Sequence, residues 1–354
     1  MTTAETNAVA GWGSWNEVIP ALERGLFSTN GLMLLLFWGV VAFAAVVTYA
    51  RVTEARSIAG FCRHVLSPTM LRHPSARADF LFWLSRRIFV PLLVVPLAFS
   101  TLAAGHVAYS LLCAVLGTPA SAPGAAGPIM LIAFTLTMFL AYDLSYYLYH
   151  VMQHRIPFMW ELHKVHHSAV VMIGVTKDRV HPLDEIMNRW WDGLLPGLVY
   201  GVWLFFALDP VEITVFGINI YFIRNTLLMM DFVRHTHMKL SYGPWLNRLL
   251  ICPHYHQLHH SVAAEHWDRN FGLTLTVWDR MFGTLVVPKP SEDFVFGLQN
   301  REAEEYQSLF RLHALPIKRI LLMVRNRFRL LYIRWNAPSG HSGRQLGAEA
   351  RNGS

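Results

Sequence analysis

The chain has 354 residues, of which 53% are hydrophobic and only 15% charged. Soluble domains carry about a quarter of charged residues, so this composition excludes an ordinary water-soluble enzyme and makes lipid part of the solvent. The formal net charge of +7 fits arginine-rich loops on the cytoplasmic side of a membrane and is not read as a nucleic-acid surface.

Glu5, Glu17 and Glu23 precede the first apolar run, so the basic n-region of a cleaved signal peptide is missing. Gly31 to Ala50 is charge-free and long enough to cross a bilayer. The following loop, Arg51 to Arg87, sets Arg51, Arg56, Arg63, Arg72, Arg77, Arg86 and Arg87 against Glu54 and Asp79, which predicts a cytoplasmic loop. Ile88 to Leu116 contains Pro91, Pro96 and Gly105 and reads as one kinked helix or a helix pair. Gly117 to Gly127 is uncharged, as a loop on the far side should be. Pro128 to Tyr142 predicts a helix that continues through Tyr146, Tyr147 and Tyr149 to His150, back at the cytoplasmic face. Leu194 to Leu208 and Val211 to Ile223 read as a tight apolar hairpin turning at Asp209-Pro210.

Lys318 to Trp335 places Lys318, Arg319, Arg325, Arg327, Arg329 and Arg334 among apolar residues. That pattern suits a helix lying on an anionic leaflet, with a helix packed on a soluble domain as the alternative. Pro338 to Ser354 is small and polar and is expected to be disordered. Together these elements predict an all-α integral membrane protein of about four to five transmembrane or re-entrant helices, topped by a cytoplasmic helical cap that carries a histidine-rich dinuclear metal site. The expected divisions are 1–127 (membrane helices and the arginine-rich loop), 128–290 (catalytic domain), 291–335 (basic amphipathic segment) and 336–354 (tail).

Of 18 histidines, 13 lie between His150 and His266, and their spacing argues for metal. His150 and His154 share a helical face. His163, His166 and His167 repeat the pattern at i, i+3 and i+4, as do His256, His259 and His260. Clustered imidazoles repel when protonated and lose solvation when neutral; a divalent ion relieves both problems, because neutral imidazole is its usual nitrogen ligand. Eight ligands exceed what one tetrahedral zinc takes, so two ions fit the number. Ligand type leaves iron, zinc, copper and nickel open. Cys62, Cys113 and Cys252 are too far apart to add a thiolate site. Asp143, two turns before His150, could hold a ligand imidazole N–H or pair with an arginine.

The three boxes in this order resemble the fatty acid hydroxylase / sterol desaturase superfamily of membrane di-iron enzymes. The segments that carry the likeness are Asp143 to His154, Trp160 to Ser168, and Pro253 to Ser261 with Asn270-Phe271-Gly272 and Trp278 to Thr284 after it. The resemblance covers roughly residues 130 to 290 and implies two iron ions, O2 as co-substrate, and a lipid substrate taken from the bilayer. Hydroxylation and desaturation remain open, as do fatty acyl chains, sterols or hopanoids, carotenoids and ether lipids. It also implies an added ligand at His235; the chain has His237 where the family commonly has asparagine, which leaves 235 and 237 to be distinguished. Asp143, Arg179, His181, His237 and Asn270 are then candidates to support the ligands from behind. His254 and His266 are flanking residues.

A separate electron donor is expected, a ferredoxin, cytochrome or flavin reductase, since no GxGxxG or CxxC motif occurs in the chain. The expected location is a bacterial inner membrane with the site facing the cytoplasm. A zinc protease would need HExxH, but Val151 follows His150; a ferritin-like bundle would need paired Glu-x-x-His, approached only by Asp178 and His181. A membrane metal or haem carrier is the remaining alternative.

Overall fold

The computed structural model describes residues 29–52, 57–94, 101–119, 127–206, 214–215, 218–219, 231–289 and 292–335. The tail from Pro338, the turn at Asp209-Pro210 and the acidic N-terminal residues lie outside these. Helix α1 spans Thr29–Val52. Helix α2, Ile58–Val65, is capped by Ser57 Oγ, which accepts from the Gly60 N–H at 3.0 Å. Helix α3 is Pro74–Phe89, with proline at its first turn and His73 Nδ1 accepting from the Ser75 N–H. Much of the expected arginine-rich loop is therefore helical.

The stretch from Ile88 to Leu116 is not one regular helix. Helix α3 runs into a π-helical turn, Val90–Val94, at Pro91, which lacks the N–H that a regular turn requires; α4 then spans Thr101–Leu116. Helix α5, Pro128–Arg155, has 28 residues. At a rise of ~1.5 Å per residue it is roughly 42 Å long, more than a hydrocarbon core of about 30 Å. Its last turns can therefore carry His150 and His154 beyond an apolar slab. Among the described residues it is the one helix long and apolar enough to cross a membrane.

Helix α6, Pro157–His167, restarts at once after Ile156, and α7 spans Pro182–Phe206 with Asp184 and Glu185 in its first turn, where the helix dipole favours them. Of the expected apolar hairpin only parts are described. Leu194 to Phe206 is the second half of α7, and the described part of Val211 to Ile223 forms strands β1, Thr214–Val215, and β2, Ile218–Asn219, paired antiparallel. Short helices α8, Pro253–His259, and α9, Val277–Met281, precede the long α10, Leu309–Trp335.

Two packed regions position the rest. Helices α4, α5 and α7 form a bundle around Phe134, Met138, Tyr200 and Leu204. Its α4–α7 seam is closed by small residues: a Cβ at Gly197 would meet Ala104 Cβ at 2.3 Å, and one at Gly201 would meet Gly105 O and Ala108 Cβ at 2.5 Å. Such backbone approach is how helices associate where lipid removes the hydrophobic drive. The outward faces of these helices carry exposed Leu102, Val107, Leu111, Leu136, Leu140, Leu198 and Val202. The second core joins α3, α6 and the first half of α10 through Ala78, Phe82, Val165, Tyr306 and Leu312. Beyond Leu322 the side chains of α10 are exposed from Met323 through Tyr332, so that half projects from the body.

Replacing Gly201 with alanine should push α4 from α7 and cost about 1–3 kcal/mol. A thermal melt of the solubilised protein checks this. The matched change Gly39→Ala, where the added methyl meets nothing within 4 Å among the described residues, should leave the melting temperature unchanged or higher.

Candidate metal centre

The last turns of α5, the face of α6, a short turn around 231–235 and the helix α8 converge on one place. The structure brings nine histidines together in two groups, each with ligand atoms within 4.8 Å of one another: His150, His154, His163, His167 and His259 in one, His166, His235, His256 and His260 in the other. Helical geometry explains the division. At about 100° per residue, positions i and i+4 differ by roughly 40° while i+3 points about 60° to the other side of i. His163 and His167 therefore stay together while His166 crosses over; on α8, His256 and His260 stay together while His259 crosses. The two HxxHH boxes are interleaved, each giving two rings to one group and one to the other.

Hydrogen bonds behind the rings set their orientation. Nδ1 of His150 lies 2.9 Å from the Phe271 carbonyl, that of His259 lies 2.7 Å from Arg269 O, and that of His235 lies 2.7 Å from Asp231 O. A carbonyl can only accept, so each Nδ1 carries the proton and each Nε2 turns a lone pair inward. His163 Nδ1 faces Asp184 and His154 Nδ1 faces Asp268, both at 3.5 Å. Within the second group, Nε2 of His235 lies 3.0 Å from that of His166 and 2.9 Å from that of His256, which lies 3.1 Å from that of His260. Nε2 of His154, His163, His167 and His259 is buried without a partner among the described residues. Ligand bonds of about 2.1 Å give neighbouring nitrogens separations of roughly 3.0–3.4 Å, so these lone pairs are disposed as donors to an ion. The donor set fits metal in both groups.

Burial, reinforced by neighbouring imidazoles, holds His166, His167, His256 and His260 well below the usual histidine pKa and takes His259 to about 3. These five rings are neutral at pH 7, the state a metal requires.

The supporting candidates divide. Asp143 does neither of the two things expected of it: its carboxylate accepts from the Thr274 and Leu275 N–H groups and from Trp278 Nε1–H at 2.9–3.1 Å, fixing the turn before α9. Asn270 sits at φ 55° and ties its own loop to Tyr255 O and to Val286, which holds the flanking carbonyls of Arg269 and Phe271 against His259 and His150. Arg179, fully buried, pairs with Asp79 at 2.6 Å and donates to Val165 O and Ser168 Oγ, so it secures the end of α6 rather than a ligand ring.

His181 is corrected. Its Nδ1 accepts from the Leu183 N–H at the start of α7 and its Nε2 donates to His313 O, so it caps a helix and bonds to no ligand. His237 is also drawn away, to His64 O at 2.6 Å, and His235 is the member of the pair that joins the rings. His254 bonds to Gln257 and Lys289 O, and His266 faces Glu292.

Two residues behind the site, Asp184 and Asp268, escaped the sequence reading, and a third, Asp279, entered it only as part of the segment after the third box. Asp184 accepts from Gln153 Nε2 and Tyr149 O–H while facing His163; Asp268 faces His154; Asp279 accepts from the Phe271 and Gly272 N–H groups at 2.8 Å. A cavity of about 590 Å³ opens on His163, His166 and His235 from an apolar end at Leu136 and Phe139.

Residues 135–284 match the family model of fatty acid hydroxylases. Over 165 residues the chain is 32% identical to alkylglycerol monooxygenase from Xenopus tropicalis, a match covering 45% of this chain and 32% of that protein. It is 22% identical to ornithine lipid hydroxylase from Rhizobium tropici (46% and 45% covered) and 24% identical to cholesterol 25-hydroxylase from Homo sapiens (44% and 53%). The match thus spans about a third to a half of the length of these relatives. No solved structure gives a significant match. The resemblance carried by the three histidine boxes is thereby shown.

The depressed histidine pKa values give a pH dependence of defined sign. Unfolded rings take up protons below about pH 6.5 and folded metal-free ones do not, so each contributes stability that is complete above that pH and falls by about 1.4 kcal/mol per unit below it. The melting temperature of the metal-free protein should drop steeply between pH 7 and 5. Less acid sensitivity there than in a His259→Ala variant would contradict this.

Proposed function

We propose that this chain, whose residues 135–284 match the fatty acid hydroxylase family, is a membrane di-iron oxygenase that hydroxylates or desaturates a lipid. The observation that carries the reading is the convergence of nine histidines in two groups beside a cavity with an apolar end. His150, His154, His163, His167 and His259 would hold one iron, and His166, His235, His256 and His260 the other. The chemistry such a pair supplies when bound is O2 activation, with two electrons from outside, against an unreactive C–H bond.

The chain's own residues position and exclude. Leu136 and Phe139 line the end of the cavity that takes the lipid chain, while the carbonyls of Arg269, Phe271 and Asp231 keep three ligand rings in a single tautomer. Eight of the nine rings are buried, which keeps bulk water from the ligand atoms. The named relatives act on alkylglycerols, ornithine lipids and cholesterol, which supports a lipid substrate. The apolar outward faces of α4, α5 and α7 support a bilayer setting. The site would face the cytoplasm, where a ferredoxin, cytochrome or flavin reductase supplies electrons. The projecting half of α10 would rest on the anionic leaflet: Leu321, Val324, Phe328 and Leu331 form its stripe, and Arg325, Arg327 and Arg329 flank it. A metal or haem carrier is disfavoured by the enzymatic character of the named relatives.

Metal analysis of the purified protein should find two irons per chain. His259→Ala and His166→Ala should each lower the content toward one, with O2 consumption on reduction falling about a hundredfold or more. A single zinc, or both irons retained in the double variant, would sink the proposal. Lipid mass spectrometry with and without expression identifies the product.

A further inference from the structure

The turn at 245–249 and helix α9 share one surface. The Thr276 N–H donates to Leu249 O at 2.9 Å, and Thr276 Oγ1 and Arg280 Nη2 both donate to Arg248 O, at 2.6 and 2.9 Å, so the two segments are fastened together. On this surface Trp245, Leu246, Leu249, Met281 and Phe282 are each at least half exposed. Large apolar side chains gathered in one exposed patch mark a contact surface.

The charges of the patch have one sign. Arg248, whose guanidinium lies over the Trp245 ring, and Arg280 are exposed, whereas Asp279, the one carboxylate of the two segments, is fully buried. Height along α5 decides what the patch meets. Tyr147 stacks on Phe282 with ring centroids 5.3 Å apart, and Asp143 accepts from Trp278 Nε1–H at 2.9 Å. Tyr147 stands 19 residues past Pro128, roughly 28 Å along the helix, beside the border of a hydrocarbon core about 30 Å thick. His150 and His154 follow beyond that border. The patch thus lies at the level of lipid headgroups, a layer that suits tryptophan on its apolar side and arginine on its anionic side.

We propose that this surface is an interfacial anchor: Trp245, Leu246, Leu249, Met281 and Phe282 dip into the leaflet beside α5, and Arg248 and Arg280 bind the phosphates of its anionic lipids. The anchor rests on the bilayer setting of the proposed function and is separate from α10. It also ties the leaflet to the histidines, because the Phe271 carbonyl that holds His150 belongs to a loop fastened to α9 through Asp279.

The test is site-directed spin labelling of the full-length protein in nanodiscs of phosphatidylglycerol or phosphatidylcholine. Cys62→Ser and Cys113→Ser remove the thiols outside the core, Cys252 being buried. A nitroxide is then placed singly at Leu249→Cys, Met281→Cys, Leu140→Cys on the outward face of α5, and Glu304→Cys on the polar surface. Collisions with O2, which concentrates in lipid, are compared with collisions with a water-soluble nickel complex. In phosphatidylglycerol the O2-to-nickel ratio at 249 and 281 should be about fivefold above that at 304. Arg248→Gln with Arg280→Gln should lower it about threefold there and leave it unaltered in phosphatidylcholine. Ratios at 249 and 281 as low as at 304, with lipid registered at 140, overturn the anchor alone. A low ratio at 140 overturns the bilayer setting and the anchor with it. Equal ratios in both lipids, with and without the arginines, overturn the anionic-lipid assignment. Dipolar broadening between labels at 281 that disappears on dilution with unlabelled chain makes the patch a contact between copies and overturns the anchor too. The measurement needs no turnover, so absence of lipid oxidation with the labels in lipid would overturn the oxygenase reading alone.

Discussion

Neutral imidazoles held against one another below the surface are the constraint on which the rest of the structure depends. Eight of the nine rings are buried and the ninth, His154, is half-buried. Each must dispose of one N–H outward so that its other nitrogen can face inward. The chain meets the requirement with backbone: the carbonyls of Arg269, Phe271 and Asp231 receive three of those protons. Carbonyls belong to loops only if the loops are rigid, which accounts for the carboxylates around them. Asp279 gathers the Phe271 and Gly272 N–H groups, Asp143 gathers those of Thr274 and Leu275, and Asn270 adopts a left-handed conformation that its side chain then locks.

The long helices serve this arrangement from beneath and from the side. Helix α5 is long enough to be apolar for most of its length and still present His150 and His154 at its end. Helix α7 inverts that order, with Asp184 and Glu185 in its first turn and an apolar second half sealed against α4 by Gly197 and Gly201. Arg179, Asp79 and Ser168 join the box-bearing α6 to α3, and the first half of α10 packs on both. The buried Arg179–Asp79 pair thus has a positional role, holding the end of α6 against α3, that its modest net stability would not by itself justify.

The supporting residues were the least legible part of the chain. Asp143, Arg179, His181 and Asn270 are polar residues near the boxes, and proximity in sequence suggests contact with a ligand. Yet Asp143 anchors a turn more than 130 residues away, and His181 caps α7 and bonds to His313 O. Asp184 and Asp268, which do face ligand rings, carry no periodic signature.

The spacing of the histidines by itself determined eight of the nine rings of the site, because i, i+3 and i+4 share one side of a helix whatever else the chain does. It did not determine the sharing of those rings between two groups. That depended on how α5, α6 and α8 face one another, and on which of His235 and His237 the turn at 231–235 directs inward. Local geometry fixes neighbours along one helix, whereas the ownership of a ring is settled by contacts between segments distant in sequence, and those exist only in the folded chain.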